Sequence, residues 1–203
     1  MRLVRPRDQL LGRDALLARA DHDRRAVRVV RADVDAVVAA KLLETDAFAA
    51  SWLAPLTKAT PTGDPVGLRA GDGAVHLDAA KNEKESFQLV LGAKRDLRNV
   101  TVKVSDFVRE KGFFGLFGGD ARIGADAVPV REVRFVPIAN AKNLRMNRLH
   151  PDPVVAFDRG EAVAGSNLVA LVTVKVPAKA EAGVYAATVT VAADGVAATE
   201  IPM

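Results

Sequence analysis

The sequence predicts an all-β fold, an antiparallel β-sandwich behind a short N-terminal helical or irregular extension. Three observations carry this. Short runs alternate apolar and polar residues with a period of two, turn chemistry separates them, and no helical stretch is interleaved. The extension is residues 1–50, where one proline (Pro6) and one glycine (Gly12) stand among Ala, Arg, Asp, Leu and Val. Leu10, Leu11, Leu16 and Leu17, then Val34, Val37, Val38 and Leu42, fit a helical period, and Asp33 is placed to cap the second stretch. Ala47-Phe48-Ala49 has the small-x-small look of a cleavage site, but Lys41, Glu44 and Asp46 spoil the apolar stretch an export signal needs. No export signal is legible, and the compartment stays open.

From Ser51 the vocabulary changes, and residues 51–203 are expected to form the sandwich. Thr60-Pro61-Thr62-Gly63-Asp64-Pro65 and Gly71-Asp72-Gly73 are turn sequences, since proline fixes φ and glycine supplies positive φ. In Glu85–Leu91, Phe87, Leu89 and Leu91 share one face, and Ser86, Gln88 and Val90 the other. Val100, Val102 and Val104 point inward, with Thr101 and Lys103 outward; Val133 and Phe135 fall together. Leu168–Val176 is apolar on both faces, as a central strand covered on two sides would be. Val184–Val191 and Val196–Ile201 flank Asp194-Gly195, the strongest hairpin signal in the chain. The pattern is that of immunoglobulin-like or jelly-roll sandwiches.

Composition narrows the chemistry. The chain has 203 residues, 49% hydrophobic and 27% charged, ordinary globular proportions with enough length for an unstapled core. Cysteine is absent, which removes disulfides, thiolate ligands and thiol nucleophiles together. The 29 Lys and Arg against 25 Asp and Glu leave a formal +4, spread about evenly between the extension and the rest. With no basic block and few aromatics, nucleic acid is not the expected partner. No apolar run is long enough to span a bilayer.

Candidate sites are few. His22, His76 and His150 lie far apart, and His76 reads as a solvated strand residue between Val75 and Leu77. Neither a nucleophile elbow nor a phosphate loop is present, so no catalytic residue, metal or cofactor is expected. Glu83 and Glu85, two apart, would share a strand face and with Asn82 make a polar row, either facing a sugar or forming a charged edge or domain contact. Gly112-Phe113-Phe114-Gly115-Leu116-Phe117-Gly118-Gly119 is an apolar loop; Phe113, Phe114 and Phe117 are expected to form a docking or membrane-touching tip, or to tuck against their own sandwich or a neighbouring domain. Lys142, Arg145, Arg148 and His150 make a small basic stretch before Pro151-Asp152-Pro153, whose prolines are expected to stiffen a turn.

These segments together resemble glycoside hydrolase family 123. Trp52-Leu53-Ala54-Pro55-Leu56-Thr57-Lys58 looks like the opening of that family's N-terminal β-sandwich. Ala80-Lys81-Asn82-Glu83-Lys84-Glu85-Ser86-Phe87-Gln88 resembles its A-x-N-E-x-E-S-x-Q strand, and Leu97-Arg98-Asn99-Val100 with Ser105-Asp106-Phe107 the stretch after it. Pro151-Asp152-Pro153 is similar to its P-D-P-L turn, with Val154 replacing leucine. Val176-Pro177 and Ala182-Gly183-Val184-Tyr185 resemble its closing strands, with Ala187 where glycine is common. The resemblance covers residues 51–203 in the family's order.

The resemblance implies a sandwich that precedes a catalytic (β/α)8 barrel. The barrel would hydrolyse a terminal β-linked N-acetylhexosamine, with the substrate's acetamido oxygen attacking the anomeric carbon and an Asp-Glu pair assisting. This sequence contains no Asp-Glu dipeptide. The expectation is therefore a non-catalytic accessory domain, its partner a barrel in cis or on a separate chain, with Asn82, Glu83, Glu85, Gln88 and Asp152 holding the seam or local turns. Two other classes stay open. One is a free-standing carbohydrate-binding module, for which Trp52 and Tyr185 are the obvious aromatics, Tyr185 reading as core or corner. The other is a protein-interaction sandwich using the phenylalanine loop and a bare edge strand.

Overall fold

The computed structural model describes residues 39–65, 68–110, 121–138 and 149–203. The strands are β1 (Ala39–Glu44), β2 (Phe48–Leu53), β3 (Arg69–Ala70), β4 (Lys84–Ala93), β5 (Leu97–Val104), β6 (Phe107–Arg109), β7 (Arg122–Ile123), β8 (Val130–Pro137), β9 (Leu149–Ala156), β10 (Gly160–Ala162), β11 (Asn167–Lys175), β12 (Tyr185–Ala186), β13 (Thr188–Ala193) and β14 (Val196–Pro202). One 3-10 turn, Ala125–Ala127, is the sole helical element among the described residues. A seven-stranded sheet runs β3-β1-β2-β4-β11-β8-β9, a four-stranded sheet β10-β5-β13-β14, and a three-stranded one β12-β6-β7. Every pairing is antiparallel except β1 with β3. The all-β sandwich read from periodicity is the fold observed.

The two large sheets meet because each presents an alternating apolar face. Phe87, Leu89 and Leu91 of β4 and Ala170 and Val172 of β11 close on Val100 and Val102 of β5, Val189 and Val191 of β13 and Ile201 of β14. Asp194-Gly195 makes the β13–β14 hairpin, with Gly195 at φ 65°, where a side chain would be strained. Tyr185 is buried, and its hydroxyl donates to the Glu181 carbonyl at 3.0 Å, fastening the corner before β13.

The seven-stranded sheet is apolar on its outer face too. Val90, Val169 and Val133 form a second buried cluster with Ala39, Leu53 and Ala59, and Phe135 and Leu171 pack against it. Residues 54–65 leave β2 and cross this face as a strap. β4 and β11, at the centre of the sheet, are thereby covered on both sides, as the two-faced apolar run of β11 predicted.

Three readings of the chain's course need correction, besides that of Glu83 below. The first concerns the extension, expected to end at residue 50. Its residues 39–50 belong to the sheet, and Leu42, assigned to a helical period, lies in β1. The register of β1 on β2 shifts between Lys41 and Leu43, so two leucines stand side by side and the alternation breaks. Ala47 and Phe48, read for their likeness to a cleavage site, are buried in the inter-sheet core. The turn before them is built by Thr45, whose Oγ1 accepts from the Phe48 amide at 3.0 Å. Residues 1–38 lie outside the described residues.

The second is Pro151-Asp152-Pro153, which lies within β9 rather than in a turn. β9 pairs only with β8 and is the sheet's edge, where the missing proline N–H breaks no ladder. The third is His76, which sits in irregular chain. Its Nε2 lies 2.6 Å from Asp72 Oδ2, and that hydrogen bond, ahead of one from the Ala74 amide, lowers the Asp72 pKa.

Candidate functional site

The strap is held by two buried side-chain amides. Gln88 points outward from β4 and is only 4% exposed. Its Nε2 donates toward the carbonyls of Ala54 (3.2 Å), Pro55 (3.0 Å) and Thr57 (2.7 Å). Asn167, at the start of β11 and 7% exposed, donates from Nδ2 to the carbonyls of Thr60 (2.9 Å) and Gly63 (2.8 Å). Its own backbone amide donates to Pro61 at 2.9 Å. A buried amide costs free energy unless its groups are paired, and here the partners are backbone groups that no strand satisfies. Each amide thus fixes one half of the strap.

Two concavities result. A groove of about 200 Å³ is lined by Pro55, Leu56, Gln88, Asp152, Val154 and Leu171, among others. Leu56 at its rim is 91% exposed and Val154 42% exposed. Gln88 and Asp152, 64 positions apart in sequence, therefore both line this groove. The other concavity, about 610 Å³, was not anticipated. It lies over β1, β2 and β4 and has Ser51, Arg69, Gly92 and Asn167 in its wall, with Lys41, Glu44 and Lys94 at one end. Glu44 contacts Lys41 Nζ and, at 2.8 Å, Lys94 Nζ. Hydrogen bonds from Lys41 and then Lys94, reinforced by their charges, hold the Glu44 carboxyl at about 2.

Asn82, Glu83 and Glu85 do not join either concavity. Asn82 has φ 62°, in a turn that leads into β4. Glu83 lies in the same turn, not on the strand face expected of it. Its Oε2 accepts from the Ala80 amide at 2.5 Å. Glu85 begins the inward-facing row of β4, and burial, then the charge of Glu83, raises its pKa. A raised folded-state pKa in an acid gives stability that is fully present below the unfolded value of 4.5 and is lost as pH rises from there through the higher folded-state value. Glu85→Gln is therefore expected to raise the urea midpoint at pH 7 and to leave it unchanged near pH 3. An unchanged midpoint at pH 7 would show that Glu85 is fully solvated.

Phe113, Phe114 and Phe117 lie outside the described residues, as do Lys142, Arg145 and Arg148. Among the described residues, no group of three His, Asp or Glu side chains is placed to hold a metal ion, and no helix is long and apolar enough to cross a membrane. Trp52 packs against the inter-sheet core and Tyr185 within it, so both aromatics are committed to packing.

No family model matches the chain, and no curated protein matches it. Among solved structures, it is similar to a family 123 glycoside hydrolase from Clostridium perfringens, described in connection with glycolipid glycan hydrolysis. The TM-score is 0.51 at 18% identity, over 60% of this chain and 20% of that one. The likeness is one of fold. The chain's matching part spans about a fifth of the hydrolase's length.

Proposed function

We propose that this chain is a non-catalytic accessory sandwich of a glycosidase-related protein, and that it braces a catalytic (β/α)8 barrel of β-N-acetylhexosaminidase type. The observation that carries the reading is the rim of the smaller groove. Leu56 and Val154 are large apolar side chains left in water beside a floor held rigid by Gln88. Leu56 and Val154 stand on the rim of one groove, and two apolar side chains together beside a pinned loop offer a patch that a neighbour can cover. The sandwich likeness to a family 123 hydrolase and the absence of an Asp-Glu dipeptide point the same way. In this reading Gln88 sets the strap, Asp152 lies at the seam, and none of the residues named from sequence reacts with substrate.

The experiment is to sequence the DNA adjoining the coding region, then to titrate the sandwich with the separately produced barrel. A barrel with an Asp-Glu pair that binds the sandwich, and binds Leu56→Asp/Val154→Asp at least about tenfold more weakly, is the expected result. Both positions are exposed, so the double variant is expected to fold. Absence of a barrel on either side, equal affinity for the double variant, or aminosugar glycoside hydrolysis by the purified sandwich alone would overturn the reading.

A further inference from the structure

We propose that the larger cleft, on the far side of the strap, binds a small polyhydroxylated carboxylate such as a sugar acid. This proposal is independent of the brace reading. The cleft volume of about 610 Å³ falls in the range of small-molecule sites, about 300–1,000 Å³. Three features specify its occupant.

The first is a fixed acceptor. Asn167 Nδ2 donates to two strap carbonyls, which sets the amide orientation, because the oxygen cannot face those carbonyls. Oδ1 is therefore turned toward Gly92, and it takes no hydrogen bond from a described residue. A methyl group at position 92 would lie 3.2 Å from it. Glycine there leaves the acceptor open, and Ser51, buried in the same lining, adds a hydroxyl that can donate or accept. An open acceptor next to a hydroxyl suits a ligand that carries hydroxyl groups.

The second feature is charge. The lining carries Lys41, Lys94 and Arg69 against Glu44 and Asp64, one cation in excess. Glu44 is occupied by both lysines. Arg69 makes no ion pair among the described residues, and its planar fork matches a carboxylate. The third feature is the shape of the floor. Ala49 and Gly92 on this face are small, so a ring can approach the backbone closely. Together these features describe a ligand with several hydroxyls and one negative charge.

The test uses D-glucuronate as probe, followed by amide chemical shifts and calorimetry at low ionic strength. Saturable shifts at Ser51, Gly92 and Asn167 are expected, with D-glucose binding at least about tenfold more weakly. Arg69→Gln, an exposed substitution that breaks no side-chain hydrogen bond among the described residues, is expected to weaken glucuronate binding about tenfold and leave glucose unaffected. Gly92→Ala is expected to weaken both sugars; should it unfold, the Arg69 variant still decides. Absence of saturable shifts up to about 50 mM glucuronate, shifts confined to other surfaces, or undiminished affinity in Arg69→Gln would overturn the proposal. Because no barrel enters these measurements, their failure leaves the brace reading standing, and the reverse holds too.

Discussion

Gln88→Glu is expected to lose more stability at pH 7 than Gln88→Ala, although the shapes of Gln and Glu are nearly the same. The alanine variant removes the donor shared by the Ala54, Pro55 and Thr57 carbonyls and leaves a small void on the outer face. The lost hydrogen bonds and lost packing together put its cost at about 2–4 kcal/mol. The glutamate variant keeps the volume but replaces an N–H donor with a carboxylate oxygen aimed at three carbonyl oxygens. A buried charge facing like partial charges costs several kcal/mol more unless it takes a proton. The introduced acid should therefore have a raised pKa in the folded state. Its penalty is absent below the unfolded glutamate value of 4.5, as for Glu85, and grows as pH rises from there. Urea unfolding at pH 7 and pH 4 reads the effect directly. Proteolysis within residues 54–65 should accelerate in both variants, since each releases the strap while the inter-sheet core stays closed. Equal stability of the two variants at pH 7 would mean that Gln88 does not hold the strap by donation.

The same strap marks the limit of what the sequence discloses. Strands facing the inter-sheet core were legible because burial on one face forces alternation, as in Phe87, Leu89, Leu91 and in Val100, Val102. The strap's fastenings leave no such trace. Gln88 reaches back 31 to 34 residues to carbonyl groups, and every residue type carries a carbonyl. Asn167 reaches across 104 and 107 positions. The larger cleft was invisible for a related reason, since Lys41, Ser51, Arg69, Gly92 and Asn167 come from separate segments with no shared spacing. β9 misled in another way. Proline reports a missing donor, and that fits a turn and a sheet edge equally until the neighbouring strands are known. Gln88 and Asp152 stand out through the family resemblance. Their place in one groove's lining follows from β4 and β9 standing on either side of β11 and β8.

Phe48→Ala is expected to cost about 3–5 kcal/mol, the usual range for removing a buried phenylalanine. For a domain whose total stability is about 5–15 kcal/mol, that is a large share. The prediction separates two accounts of residues 39–50. Were they a peripheral extension, truncating Phe48 would cost under about 1 kcal/mol, as for any surface position. In the structure Phe48 is 1% exposed and stands opposite Ala93 on β4, inside the core cluster with Phe87 and Leu91. The hairpin that delivers it also has structural duties elsewhere. β2 pairs with β4 over six residues, and Leu53 and Ala39 supply the outer cluster on which the strap rests. Removing residues 1–50 should therefore strip β4 of half its pairing with β2, take Phe48 out of the core and prevent folding altogether, whereas removing residues 1–38 deletes none of the described strands. Urea unfolding of Phe48→Ala beside Leu43→Ala, a neighbouring side chain only partly buried, gives the comparison. A larger loss at Phe48 than at Leu43 places the hairpin within the cooperative core, and equal small losses would return it to the periphery.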